Sequence, residues 1–477
     1  MPANPSVPPV RLGLAGLGTV GAAVHEKITA NQRLLAERTG FTFEIVRVAV
    51  RKPGKRRPAG VPPERVVDDW RLLVDDPAIE TVVELIGGTT DAFDLVASAL
   101  RAGKSVVTGN KALLAERGAE IFRLAAATGQ PVFFEAAVAG GVPVIKAVKE
   151  SLVGNHIASI HGIINGTSNY ILTRMTEQGL DFGEALAEAQ AKGYAEADPA
   201  LDVNGWDAAH KAIILASLSY GYWVRMEDIH VEGLEHVARQ DIAYAAKLGF
   251  TIKLVAVIKL DAEGEVEVRV QPSLVRKEHI LASVGGVHNA IAIRGDMVGE
   301  VMFFGPGAGG PATASAVLAD IVDAAHARRH GPLNPGFVVH GLYGRTKPVA
   351  RTVTDYYLRI PVNDQPGVIA GIAGVLAGKR IGIGATVSLP PSQMPEGKFT
   401  EVTFMTHEAP YGLMREAVVE IAHLPYVTGQ PVVFRVEGLS LAGHGPVPSW
   451  PPHAARPRRF APLTKSPVPP VRRGPRR

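Results

Sequence analysis

From Val10 to Val138 the chain alternates short apolar runs with amphipathic ones, and nothing else in it restricts the fold as tightly. "VRLGLAG" reads as a strand and "TVGAAVHEKITANQRLLAER" as a helix. "FEIVRVAV" and "TVVELIG" follow as strands, "DAFDLVASALRAG" as a helix and "SVVTGN" as a strand, then "KALLAERGAEIFRLAAATG" as a helix and "PVFFEAAV" as a strand. Strands that alternate with helices at this spacing form right-handed crossovers on a parallel sheet. Residues 10–138 are therefore expected to be an α/β unit.

The first strand runs into "GLGTVG", which places Gly16, Gly18 and Gly21 in the GxGxxG spacing. With 51 glycines in the chain such a match also arises as a packing turn. Its position between a strand and a helix is the one a dinucleotide fingerprint requires, with a tight turn, close backbone approach and a pyrophosphate on the helix N-terminus. Thr19 and Val20 would share that contact, so the unit is expected to be a Rossmann-like dinucleotide-binding domain. An NAD enzyme places an acid at the end of the second strand. Here "AVRKPGKRR" offers Arg51 and Lys52 first and no acid. Cations there suit a 2′-phosphate, so NADP(H) is favoured and NAD(H) possible; Arg56 and Arg57 are explained equally well by a solvated loop. Lys111, in "TGNKALLA", opens a helix at the carboxyl edge of the sheet, where the macrodipole disfavours a cation and a polar ligand would welcome one.

Beyond Val138 the pattern changes. A helix around "PVIKAVKESL", a strand "IASIHGIING" and several helices lead to "TIKLVAVIKL" and "EVEVRVQPSLV", strands of a hairpin around "DAEG". A mixed α+β sheet covered by helices is expected over 139–310, as a catalytic and dimerisation unit. A helix at about 311–328 would return to complete the first unit, and 329–354 would be a linker. Residues 355–438 read βαββαβ, the ferredoxin-like order, as a separate small unit. Residues 1–9 and the Pro/Arg-rich 439–477 are expected to be disordered.

Charge excludes some functions. Eight of the 50 Lys and Arg lie between Arg456 and Arg477 with no acid among them; the remaining 42 face 46 acids, so the body carries −4 where the whole chain carries +4. By charge such a body is not a nucleic-acid binder. Without cysteine there is no disulfide, thiolate metal site or cysteine nucleophile. No apolar run is long enough for a membrane span and the N-terminus lacks a secretory pattern, so a cytoplasmic location is expected.

The chemistry-bearing stretch is "GYAEADPALDVNGWDAAHK", Gly193 to Lys211. Asp207 and Lys211 stand four apart, on one face of a helix beginning near Asn204. An exposed pair would add a few tenths of a kcal/mol, about 0.3–0.5, and do nothing else. The helix runs into "AIILASL", however, and a lysine at a buried border has a shiftable pKa and can donate a proton to a carbonyl oxygen. Glu196, Asp198 and Asp202 supply acceptors for an ammonium. None of His161, His210 and His288 forms an HxxxH pair, and Ser168 in "NGTSNY" lacks a GxSxG elbow, so zinc and serine-hydrolase chemistry are not expected.

With "GIINGTSNYIL", "EAAVAGGVPVI" and "GLGTVG", this stretch resembles homoserine dehydrogenase from about Val10 to Arg328. The terminal unit, with "VNDQPGVIAGIAGVLA", looks like an ACT domain. The resemblance implies reversible reduction of L-aspartate 4-semialdehyde to L-homoserine, in threonine, methionine and isoleucine biosynthesis. Carried over by motif, Lys211 is the proton donor and Asp207 orients it and holds substrate. Glu196 binds the substrate amino group, Asp202 is a second polar contact, and Lys111 lies near nicotinamide and substrate. Gly193 and Gly307 approach the cofactor. The family's monovalent-cation site, sodium by its oxygen ligands, would fall on Glu135 and the carbonyls of Val138, Gly140 and Val142. Threonine is the implied effector, held at Asn363, Asp364 and Gly367 of a homo-oligomer, a dimer or tetramer. Two rival readings remain: an NADP-dependent dehydrogenase of another small amino or hydroxy acid, and a non-enzymatic nucleotide and amino-acid sensor.

Overall fold

The computed structural model describes residues 9–52, 60–331, 336–363, 365–387 and 400–438. Residues 1–8 and 439–477, Arg56, Arg57 and Asp364 lie outside the described residues, and the expectations placed on them go no further.

Six parallel strands form the first sheet: β1 (Val10–Ala15), β2 (Phe43–Ala49), β3 (Val66–Val67), β4 (Thr81–Glu84), β5 (Ser105–Thr108) and β6 (Val132–Phe133), in the order β3-β2-β1-β4-β5-β6. Every residue of β4 and β5 is buried, as expected of strands covered by helices on both faces. The order reverses between β1 and β4, so the crevice for a ligand opens at the carboxyl ends of those strands. β6 is shorter than "PVFFEAAV" suggests. The Glu135 N–H turns out of the ladder to donate to Asp320 Oδ2 at 2.8 Å, and a 3₁₀ turn, Glu135–Ala137, follows. The helix Gly310–His330 supplies Asp320 and packs on this sheet. Its Ala314, Val317, Ile321 and Ala324 share one apolar core with Leu12, Leu14, Val24 and Ile28.

The second sheet contains β7 (Ile157–Ile163), β8 (His230–Val231), β9 (Phe250–Leu260), β10 (Glu265–Arg276), β11 (His288–Gly295), β12 (Gly299–Pro306), β13 (Arg345–Thr346), β14 (Val353–Val362), β15 (Ile383–Val387), β16 (Thr400–Pro410) and β17 (Val432–Glu437). β9 and β10 are the expected hairpin, in continuous antiparallel register from Val266↔Leu260 to Arg276↔Phe250. β11 and β12 form a further hairpin, from His288↔Pro306 to Gly295↔Gly299, which the sequence pattern does not place. Its outer strand is half exposed and nowhere buried, and it lacks the long apolar run that marks β9.

The terminal segment follows the βαββαβ order, with helices Val368–Gly378 and Tyr411–Ala422 and strand order β17-β14-β16-β15. It is not detached, in contrast to the expectation of a separate unit. β17 pairs in parallel with β10 through Ser273↔Arg435, Leu274↔Val436 and Val275↔Glu437, so one sheet continues from β12 to β15. Buried ions mark the joint: Arg269 reaches Glu437 at 2.7 Å, and Arg359 grips Asp241 at 2.6 and 3.0 Å. Such pairs specify register more than they add stability. Among the described residues no helix is long and apolar enough to cross a membrane.

Candidate active site

The glycine turn is built for a ligand's backbone approach. Gly16 has φ +100°, and a Cβ there would lie 2.4 Å from the Leu85 carbonyl oxygen; one on Gly21 would lie 2.1 Å from the Gly16 carbonyl oxygen. Gly18, the N-cap of the helix Thr19–Ala30, has no neighbour within 4 Å of a Cβ position, and no side chain caps that helix. The N–H groups of its first turn are thus left for a bound anion. The residues fit a dinucleotide.

Behind the turn, buried Glu84 at the end of β4 accepts the N–H groups of Ile86 at 2.9 Å and Gly87 at 3.3 Å, and the Thr108 hydroxyl at 2.5 Å. Burial pushes its carboxyl pKa up. Asn110 donates to the Gly88 carbonyl at 2.7 Å and caps the next helix through Leu113 N–H at 3.1 Å. These two side chains hold the Ile86–Gly88 loop, and neither was singled out from sequence. Arg51 lines a cleft of about 190 Å³ with Trp70, Ile86, Gly87 and Gly88, together with Asp68 and Asp91. The cleft is therefore of mixed charge rather than purely cationic. Lys52 is exposed beside it.

At the carboxyl edge of β5, Lys111 Nζ lies 3.3 Å from Asp207 Oδ1, an ion pair between the parallel sheet and the helix Trp206–Tyr220. Lys211 Nζ donates to Asp207 Oδ2 at 2.7 Å and to the Ile164 carbonyl at 2.6 Å. Asn165 Nδ2 donates to Asp207 Oδ2 at 2.7 Å and to Asp202 Oδ1 at 2.8 Å. Burial raises the Asp207 carboxyl, but Lys211 and Lys111 outweigh it and hold the group well below its usual range. Burial dominates at Lys211, whose pKa is lowered even though Asp207 opposes the shift. Asp202 is raised, by burial and then by Asp207. The cluster thus holds an ammonium that gives up its proton more readily than an exposed lysine, beside one firmly ionised acid.

Asp202, Asp207, Lys211 and Lys111 are brought together. Glu196 is not: it is exposed, and its carbonyl accepts from Gln190 at 3.2 Å. Gly193 is exposed at φ +74°. At Gly307 a Cβ would lie 2.0 Å from the Asn289 side chain, which would have to shift, and one on Gly140, at φ +54°, would lie 2.5 Å from the Gly307 carbonyl oxygen, so packing alone demands glycine at Gly140. Sequence reasoning also passed over Asn165 and the Ile164 carbonyl. Asparagine just ahead of the helix Gly166–Gln178 was the available signal, since it is a strong N-cap residue.

Glu135, Val138, Gly140 and Val142 lie on one tight turn. The Glu135 carboxylate accepts from Ile145 N–H at 2.9 Å and Lys146 N–H at 2.8 Å, and burial raises its pKa. Val142 carbonyl is taken by Val144 N–H at 2.8 Å, whereas the buried carbonyls of Val138 and Gly140 accept no hydrogen bond from a described residue. Two orphaned buried carbonyls beside a carboxylate fit a hard monovalent cation. Among the described residues no three acidic or histidine side chains converge on a metal.

A glycine turn at the switch point of a doubly wound sheet, with a lysine–aspartate cluster at its carboxyl edge, defines an NAD(P)-dependent oxidoreductase. A family profile described as "Homoserine dehydrogenase, NAD binding domain" matches residues 16–135, and one described as "Homoserine dehydrogenase" matches residues 143–322. The homoserine dehydrogenase of Synechocystis sp. is 42% identical over 440 residues, 90% of this chain and 99% of that one. The chain belongs to the homoserine dehydrogenase family. The Pseudomonas aeruginosa relative is 40% identical over 437 residues, 91% of this chain and 100% of its own. Among solved structures, the enzyme from Thiobacillus denitrificans superposes with a TM-score of 0.83 at 39% identity, over 90% of this chain and 98% of its own. A hyperthermophilic archaeal homoserine dehydrogenase in complex with NADPH superposes at 0.56 and 29% identity, over 67% of this chain and 98% of its own.

Proposed function

We propose that the chain interconverts L-homoserine and L-aspartate 4-semialdehyde with NADP(H), in the cytoplasmic synthesis of threonine, methionine and isoleucine. The observation that carries this reading is the Lys111–Asp207 ion pair at 3.3 Å, which joins the nucleotide sheet to the buried helix that holds Lys211. In the oxidative direction neutral Lys211 takes the hydroxyl proton as the C–H bond beside it breaks; in reverse its ammonium returns the proton to the carbonyl oxygen. A bound nicotinamide accepts or supplies the hydride. Asp207 keeps Lys211 oriented. Asp202, with Glu196 once substrate draws its loop inward, receives the substrate ammonium, and Lys111 faces the polar end of the substrate.

Arg51 and Lys52 favour a 2′-phosphate, and the NADPH-bound archaeal relative supports that choice. Asp68 and Asp91 in the same cleft leave NAD(H) usable. The orphaned carbonyls of Val138 and Gly140, with Glu135 and Val142, would hold sodium and stiffen the turn against Gly307. We read the terminal βαββαβ segment as an ACT domain on a homo-oligomer, with threonine as effector. Gly367, the uncapped N-cap of its first helix at φ +96°, leaves N–H groups for a carboxylate, beside Asn363, whose N–H donates to the Tyr426 carbonyl at 2.8 Å. The test is nicotinamide absorbance with homoserine and either oxidised cofactor, with and without threonine. Turnover faster with NADP⁺ supports the reading. No reduction of either cofactor with homoserine would overturn it, and turnover indifferent to threonine would remove the effector assignment.

A further inference from the structure

We propose that Asn165 is a positioning residue whose amide group sets Asp202 and Asp207 apart at the substrate site, and that this role is separate from its capping of a helix. The inference rests on the proposed reaction for its kinetic test, though not for its chemistry.

Asn165 directly follows Ile164 at the end of β7 and is buried. Its Oδ1 accepts the Ser168 N–H at 2.7 Å, which caps the helix Gly166–Gln178. That bond fixes the amide's orientation, because the oxygen must face the helix and the NH₂ must face the other way. An NH₂ group carries two hydrogens, and both are used here, one on Asp202 Oδ1 at 2.8 Å and one on Asp207 Oδ2 at 2.7 Å. The two acids come from different helices, Ala200–Val203 and Trp206–Tyr220, and they repel one another. The preceding carbonyl, Ile164, takes Lys211 at 2.6 Å. One turn of chain therefore serves the lysine with its backbone and both acids with its side chain.

A neutral double donor suits this place better than any charge. A lysine would cancel the charge that a substrate ammonium needs, and a carboxylate would add a third acid to two that already repel. With the amide between them, Asp207 stays committed to Lys211 and Lys111, and Asp202, which the Thr167 side chain also approaches, keeps acceptor capacity for a cationic substrate group. The charged groups facing the pair are Lys111 on the helix after β5 and Lys211 on the helix of Asp207, with His210 on that helix farther round.

Aspartate and serine cap helices about as well as asparagine, but neither carries the NH₂. Asn165→Asp and Asn165→Ser in the full chain therefore separate the two roles. Both variants keep the cap; Asn165→Ser is expected to melt close to the parent, and Asn165→Asp lower, because it adds a third buried acid. Both should lose about ten- to hundred-fold in kcat/KM for homoserine, as expected for a hydrogen bond to charge, with most of the loss in KM and with KM for NADP⁺ unchanged. Carbon-13 titration of labelled aspartate should show the Asp202 carboxyl titrating higher in both variants, most in Asn165→Asp, where the acid limb of the rate profile should also move up. Parent values of KM and of the Asp202 titration in either variant would overturn the proposal, leaving Asn165 as a cap. So would loss of folding in Asn165→Ser, which keeps the cap and adds no charge. If the parent fails to oxidise homoserine, the proposed reaction falls while the carbon-13 titration still decides the role of Asn165.

Discussion

Lys211→Met tests the proton transfer most directly, because methionine keeps much of the side-chain length and removes the ammonium. Lys211 Nζ donates to the Ile164 carbonyl at 2.6 Å and to Asp207 at 2.7 Å. The variant therefore strands a buried carbonyl and leaves Asp207 to Asn165 and Lys111. Each such loss costs about 1–3 kcal/mol. The buried ammonium carries a desolvation penalty of its own, visible in its lowered pKa, and methionine removes it. The terms largely offset, for a net destabilisation of about 1–2 kcal/mol. The chemical loss is larger: kcat should fall about 10²–10⁴-fold, worth roughly 3–5 kcal/mol at 1.36 kcal/mol per decade. Rates measured in both directions across pH add a signature. Oxidation needs the neutral amine, so the parent rate rises with pH through the Lys211 pKa, which burial holds below lysine's usual value. Reduction needs the ammonium and falls over the same interval. Both limbs should vanish in the variant, with melting curves recorded alongside to separate chemistry from folding. A folded Lys211→Met enzyme with the parent kcat would refute the assignment.

Other consequences follow from the same geometry. Replacing Arg51 and Lys52 together by alanine should weaken NADP(H) by about 1.5–3 kcal/mol for each charged hydrogen bond to the phosphate that is removed and leave NAD(H) nearly unchanged; an equal effect on both cofactors would show that these cations do not read a 2′-phosphate. Glu437→Gln removes the charge facing fully buried Arg269 and should cost about 3–5 kcal/mol in urea unfolding, with the β10–β17 joint the first part to lose amide protection. Gly118→Ala drives a methyl to within 2.0 Å of the Trp223 ring, and the overpacking should lower stability by about 1–3 kcal/mol, read from the melting temperature.

Much of this molecule was legible from local pattern. The alternation of strand and helix predicted the parallel sheet, because side-chain period and crossover handedness are short-range properties. The GxGxxG turn was legible partly for the same reason, since Gly21 answers the nearby Gly16 carbonyl, whereas Gly16 answers the distant Leu85 carbonyl. So was the Asp207–Lys211 pair, whose spacing of four places both on one helix face. The hairpin of β11 and β12 was not, because its outer strand is unburied and its apolar run is short, only Val301, Met302, Phe303 and Phe304. The terminal βαββαβ order was readable, but its fusion to the rest was not, since the pairing of β17 with β10 depends on strand edges meeting and on Arg269 finding Glu437.

The site divides along the same line. Sequence alone named the lysines and the acids as groups capable of proton transfer and ammonium binding. Only the tertiary structure decided that Lys111 meets Asp207 across two units, that Asn165 stands between Asp202 and Asp207, that Asp68 and Asp91 share the cleft of Arg51, and that Gly307 packs on Asn289. The physical reason is one of range. Helical period and turn sterics act over a few residues and leave their mark in the order of residue types, whereas an ion pair between distant segments forms only after many weak packing interactions have set two backbones at the right separation.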